Sequence, residues 1–200
     1  MTDVAKNILA IDPSLTSTAV IQGGADTDSY SLAVFSSLPC GKNVSGRVAR
    51  YDDLVARIMD WIGDGPIAAV YIEGYSFASM GNAVSGIAEY GGILRWHLAE
   101  LTPRIFEVAP STLKKFCTGV GKGTKDMIAA HLTKRYGVLL SSNDEYDAYG
   151  LYRLGLVAEG LAEPEIAAQR EAADTVLGIQ SPKKKRPAPT VAPTPQPSMF

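Results

Sequence analysis

The amino-acid sequence predicts an α/β layered domain built on one central sheet, and three features predict it. Residues 67–73 (IAAVYIE) are a continuous apolar run of strand length, the pattern of a strand covered on both faces. Residues 47–62 place Val48, Tyr51, Leu54, Val55, Ile58 and Ile62 at helical spacing on one face. The segments then follow in an order, three strands, helix, strand, helix, strand and further helices, that suits helices packed against a sheet.

The elements follow in turn. Residues 7–12 (NILAID) read as a short buried strand and 19–22 as its neighbour in sequence. Gly23 and Gly24 open a polar turn, after which 30–35 is a third strand. The helix over 47–62 is broken by residues 63–66, and the apolar strand 67–73 follows. A second helix is expected over 81–101, a fifth strand over 104–108 and a short turn near 111–116. Beyond the glycines of 119–123 the spacing predicts helices over 124–136 and 143–159. Residues 160–180 are Ala/Glu-rich, fitting a terminal helix or a linker. Residues 181–200 are proline-rich without periodic apolar residues and read as a disordered tail. The expected organisation is thus one main domain over 1–160, a helix or linker over 161–180, and a Pro/Lys-rich tail over 181–200.

Composition narrows the function classes. Apolar residues are 46% and charged ones 20% of the 200, which fits a soluble globular chain with a proper core. No apolar run approaches the ~20 residues of a membrane span, and the N-terminus enters a strand without a secretory pattern, so no membrane partner and a cytoplasmic location are expected. Cys40 and Cys117 lack zinc-ligand spacing and read as reduced, small hydrophobes. A net charge of −2 counts against a protein that coats DNA generally. The charge is uneven, however: residues 95–135 hold eight Lys/Arg against three Asp/Glu, which suits a localised phosphate-binding face.

Four carboxylates stand where a fold has little use for them. Asp12 closes the first strand and Glu73 the central apolar one; Asp144 and Asp147 lie three apart on one helical face. Each has a plainer reading: Asp12-Pro13-Ser14 can be a turn, and acids near a helix start are favoured by its dipole. A charged residue ending a buried strand, by contrast, needs a partner or an ion. If the first and fourth strands are neighbours and the last helix crosses their ends, all four converge. Clustered carboxylates repel one another, and hard cations relieve that, so an all-oxygen set without His or Cys fits Mg²⁺, or Mn²⁺, better than Zn²⁺. His97 and His131 read as bystanders.

Four segments, quoted as they stand, resemble the RuvC-type Holliday junction resolvases of the ribonuclease H-like superfamily. ILAIDPSLTSTAVI (8–21) is similar to the family's opening strand and Asp-Pro, and VYIEGYSF (70–77) to the strand ending in its second acid. APSTLKKFCTGVGKGTKDMI (109–128) is similar to its basic, glycine-interrupted segment, and NDEYDAYGLYRLG (143–155) to its terminal Asp-x-x-Asp-Ala helix. The resemblance runs from about residue 7 to 158, in family order.

It implies a central mixed five-stranded sheet flanked by helices and a metal-dependent endonuclease cleaving four-way junctions. Asp12, Glu73, Asp144 and Asp147 would be the catalytic, metal-binding set, holding two ions. Lys114 and Lys125 match basic positions near the scissile phosphate, Lys115 and Lys122 extend the DNA-binding set, and Tyr75 or Phe77 would be the aromatic that stacks on a base. The family also implies a homodimer. The apolar seam Val84, Ile87, Gly91, Leu94, Leu98 and Leu101 usually would pack on the sheet, yet the opposite face with Ala83, Gly86, Tyr90 and Ile93 is free of charge, and this helix is the expected interface. The tail's Lys183, Lys184, Lys185 and Arg186 departs from the family pattern; it reads as a flexible DNA-binding arm, with nuclear import as the alternative. Rival readings are a nuclease for flaps or forks, a non-catalytic branched-DNA module, and an actin-like ATPase or kinase suggested by Thr16-Ser17-Thr18. No second phosphate loop accompanies that last motif.

Overall fold

The structure is a computed structural model that describes residues 7–24, 29–37, 43–75 and 82–179. Phe77, Cys40 and the tail 181–200 lie outside the described residues, as do the side chains of Ala83 and Val84. The strands are β1 (Asn7–Asp12), β2 (Thr18–Gly23), β3 (Tyr30–Phe35), β4 (Ile67–Glu73) and β5 (Ile105–Val108). The helices are α1 (Val44–Ile62), α2 (Asn82–Leu101), α3 (Pro110–Thr118), α4 (Lys125–Tyr136), α5 (Asn143–Ala158) and α6 (Ala167–Val176).

The five strands form one mixed sheet in the order β3-β2-β1-β4-β5. β1, β2 and β3 pair antiparallel through short connections, whereas β1–β4 and β4–β5 pair parallel across helical crossovers. Strand alternation sorts the side chains into two cores. Leu9, Ile11, Val20, Val70 and Ile72 face α1 and α2; Ile8, Ala10, Ile21, Ala69 and Tyr71 face α3, α4, α5 and α6. Asp12 and Glu73 continue the second set, Ile8–Ala10–Asp12 and Ala69–Tyr71–Glu73, so both belong to the α5 side of the sheet. The register pairs Ile11 with Ile72, which sets the next residues, Asp12 and Glu73, side by side at the two strand ends.

Helix α5 lies over the middle of this face and is covered on all sides. Every residue from Tyr146 to Val157 is buried, which explains a sequence apolar nearly all round instead of striped. Two glycines permit that depth. A Cβ on Gly155 would stand 2.7 Å from Tyr71 and 2.8 Å from Ile8, and one on Gly150 would stand 2.7 Å from Cys117 Sγ. Cys117 is a buried free thiol whose pKa burial drives far up, consistent with a packing role.

Two sequence expectations need adjustment, and one open alternative is resolved. The turn near 111–116 is a full helix, α3, started by Pro110 in its first turn and stopped by Gly119 in the left-handed conformation at φ 86°. The stretch 160–180 contains the helix α6, docked through buried Gln169, Ala172 and Ala173; Gln169 donates to Tyr136 Oη at 2.8 Å. On α2, Tyr90 belongs to the core and not to an open face. It is fully buried with Leu94 and Leu98, and its hydroxyl is 2.9 Å from Thr18 Oγ1. Among the described side chains of α2, the large apolar one that is exposed is Trp96, at 72%.

Candidate metal and nucleic-acid site

The site is assembled at the ends of β1 and β4 by α5 and the start of α4. Ser142 caps α5, accepting from the Glu145 amide at 3.2 Å, while Glu145 accepts from the Ser141 amide at 2.9 Å. This capping box satisfies the helix start without using Asp144, one turn before the buried Asp147. Asp12, Glu73 and Asp147 each offer an oxygen within 4.8 Å of the others. Asp12 is 6% exposed and Asp147 4%. Asp144 stands apart from this close triad, but Lys125 links it to the cluster: Lys125 Nζ is 3.3 Å from Asp147 Oδ2 and 3.8 Å from Asp144 Oδ1. The four acids singled out in the sequence therefore arrive as three together and one at the rim.

Three carboxylates so close, two of them buried, resist being charged together. Burial first, then the neighbouring Glu73 carboxylate and its hydrogen bond, raise the Asp12 carboxyl well above its ordinary range. Asp147 is pushed up to about 6, again by burial first and then by Glu73, with Lys125 pulling the other way. At Lys125 itself burial pulls the ammonium pKa down, but Asp147, Asp12 and Asp144 outweigh it and hold it above its usual value. The lysine is thus the site's own resident positive charge.

A cavity of about 340 Å³ opens beside the triad. Its polar lining includes Glu73, Asp147, Lys114 and Lys125, and Pro13, Ile87 and Leu113 contribute apolar wall. Tyr75 also lines it. The other basic candidates lie elsewhere: Lys115 Nζ pairs with Glu171 on α6 at 2.7 Å, and Lys122 is exposed on the glycine loop. Several cations of the basic stretch are engaged in the fold, Arg95 with Glu107, Arg104 with Glu159 and Arg135 with Glu165. The positive charge at the cavity therefore comes from Lys114 and Lys125. His97 Nδ1 sits 3.5 Å from Glu100, and His131 lies on α4 outside the cavity lining.

In the sequence Arg95 and Glu107 count only as charges of the basic stretch and Pro13 only as part of a turn, with no place in the site. Arg95 lies 4.6 Å over the Tyr75 ring and reaches both Tyr75 and Glu107. A charged residue in the middle of an apolar helical seam was the available signal for it.

No protein-family model matches the sequence, and no curated protein matches it by sequence either. Solved structures do match the fold. Thermus thermophilus RuvC in complex with a Holliday junction substrate superposes with a TM-score of 0.61 at 16% identity, over 87% of this chain and 97% of that one. A structure of Thermus thermophilus RuvC alone gives 0.55 at 14% identity, over 86% and 97%. With its mixed five-stranded sheet, flanking helices and nearly complete coverage of those chains, the protein has the ribonuclease H-like fold of the RuvC Holliday junction resolvases.

Proposed function

We propose that this protein is a metal-dependent endonuclease that hydrolyses phosphodiesters in branched DNA, with the four-way junction as its substrate. The observation that carries the proposal is the convergence of Asp12, Glu73 and Asp147 within 4.8 Å, beside a cavity that holds two lysines. The donor set fits a hard divalent cation: it is all oxygen, largely buried, and its charging is opposed by burial and mutual repulsion. Asp12, Glu73 and Asp147, with Asp144 at the rim, would hold Mg²⁺ or Mn²⁺, two ions by resemblance to the family. Bound there, such ions supply an activated water and neutralise charge building on the phosphate.

The protein's own groups do the rest. Lys114 and Lys125 bring positive charge to the cavity and offer donors to phosphate oxygens. Pro13, Ile87 and Leu113 give part of the wall an apolar surface, beside which electrostatic contacts are stronger than in open water. Lys122 and the tail cluster 183–186 add basic groups that attract DNA at longer range. Two such sites are needed to cut opposite strands, and the proposed homodimer would use the exposed side of α2 around Trp96. An aromatic this exposed suits the centre of a protein interface.

The test is incubation of the protein with labelled four-way junction, Y-fork and linear duplex, in Mg²⁺ or EDTA. Metal-dependent paired nicks in the junction support the reading. Cutting of forks instead would reassign the substrate within the nuclease class. Binding without cutting would favour a non-catalytic module.

A further inference from the structure

Arg95 makes more contacts than an ordinary surface ion pair, and together they tie α2 and β5 to the end of β4. Its Nη1 donates to Tyr75 Oη at 2.8 Å and to the Gly91 carbonyl at 3.1 Å. Its Nη2 donates to Glu107 Oε2 at 2.9 Å and to the Glu73 carbonyl at 3.5 Å. The guanidinium carbon also lies 4.6 Å over the Tyr75 ring, and the Tyr75 hydroxyl in turn reaches the Ala88 carbonyl at 3.5 Å. One planar cation therefore joins α2, β5 and the two residues flanking Gly74, and only a guanidinium has the fork of donors to do so.

Two glycines are shaped around this arrangement. A Cβ on Gly91 would run into the Tyr75 hydroxyl and come within 2.7 Å of Arg95 Nη1. A Cβ on Gly74 would stand 2.9 Å from Glu107 Oε1. The adjacent Gly92 has open space at the same position, so the requirement is specific to the Arg95–Tyr75 contact. Glycine inside a helix is less stable than alanine, and at Gly91 that loss makes room for a hydroxyl.

We infer that Arg95 is a positioning residue: it clamps the turn Glu73-Gly74-Tyr75, so that the metal-binding carboxylate and the aromatic wall of the cavity are held as one rigid unit. This rests on the nuclease reading of the site. Tyr75 is accordingly a fixed wall of the cavity and not a side chain free to swing into DNA. Supporting groups around a ligand carboxylate tune metal affinity by orienting it, and small misplacements near the reacting atoms are expensive in rate.

The test compares wild type, Arg95→Ala, Arg95→Lys and Tyr75→Phe in three measurements: thermal unfolding in EDTA, Mn²⁺ affinity by calorimetry without DNA, and single-turnover junction cleavage. Arg95→Ala is expected to bind Mn²⁺ about tenfold more weakly. It should cut about a hundredfold more slowly with junction affinity unchanged. Arg95→Lys keeps the charge but loses the fork and the stacking, and should behave like the alanine variant. Tyr75→Phe should fall between, and combining it with Arg95→Ala should add little. If Arg95→Ala folds and binds Mn²⁺ as wild type does, the clamp is overturned. If it unfolds, Arg95→Lys decides by the same measurement: weaker Mn²⁺ binding upholds the clamp and wild-type binding overturns it. If wild type itself cuts no branched DNA, the nuclease reading fails, while Mn²⁺ affinity still decides for or against the clamp.

Discussion

Replacing Asp147 by asparagine should stabilise the cation-free protein, although it removes a group placed at the centre of the site. The Asp147 carboxyl is raised from 3.8 to about 6, by burial first and then by the Glu73 charge. The folded state therefore keeps its proton at pH values where the unfolded chain has already released it. Its contribution to stability is full below 3.8 and is lost as pH rises through about 6. At pH 8 the charged carboxylate then costs the fold about 3 kcal/mol relative to the protonated one. Asparagine has nearly the same shape and never takes up that charge. The attraction of Lys125 Nζ, at 3.3 Å, is already contained in that figure, so about 3 kcal/mol is the whole of the expected gain. For a domain of this size that gain corresponds to about 6–12 °C in Tm. The assay is thermal unfolding in EDTA from pH 4 to 8, then with Mg²⁺. Wild type should lose stability as pH rises through this window, with Asp12 extending the loss upward, and should regain it with Mg²⁺ at pH 8. Asp147→Asn should lose less with pH and regain less with Mg²⁺. A variant less stable than wild type at pH 8 in EDTA, with an unaltered pH profile, contradicts the electrostatic account of the site.

Further predictions concern the fold and the proposed assembly. Gly155→Ala should destabilise the protein by about 1–3 kcal/mol in urea unfolding, since α5 has no room to lift off Tyr71 and Ile8; wild-type stability would show that the helix–sheet contact relaxes freely. Trp96→Glu should convert a dimer to a monomer in sedimentation, and a monomeric wild type removes the α2 interface. Deleting residues 181–200 should weaken DNA binding and flatten its salt dependence while leaving the cleavage position unchanged. Equal affinity across salt concentrations removes the DNA-binding role of the tail.

The strands were legible because each is a short apolar run between turn residues, and the parity of Ile8, Ala10 and Asp12 already implied which face the first acid takes. Helices α3 and α6 were harder. The first is nine residues long, too short to show clear periodicity, and the second buries only a narrow stripe of Gln169, Ala172 and Ala173. The basic stretch looked like one phosphate-binding face, but ion pairing sorts it, and sequence alone cannot show that Lys115 meets Glu171 while Lys114 faces the cavity. Tyr90 was misplaced because an aromatic on an apolar helix gives no sign of its direction until Thr18 is found against its hydroxyl. Arg95 stood out only as a charge within an apolar helix, and its clamp was illegible. Its partners, Glu73, Tyr75, Gly91 and Glu107, come from separate elements that only the sheet order brings together.

The most direct test of the central claim is to measure binding and cleavage of a four-way junction by Asp12→Asn and Glu73→Gln beside wild type in Mg²⁺. Wild type should make paired nicks, and both variants should bind the junction but leave it intact. Undiminished cutting by both would contradict the placement of the catalytic site at the ends of β1 and β4.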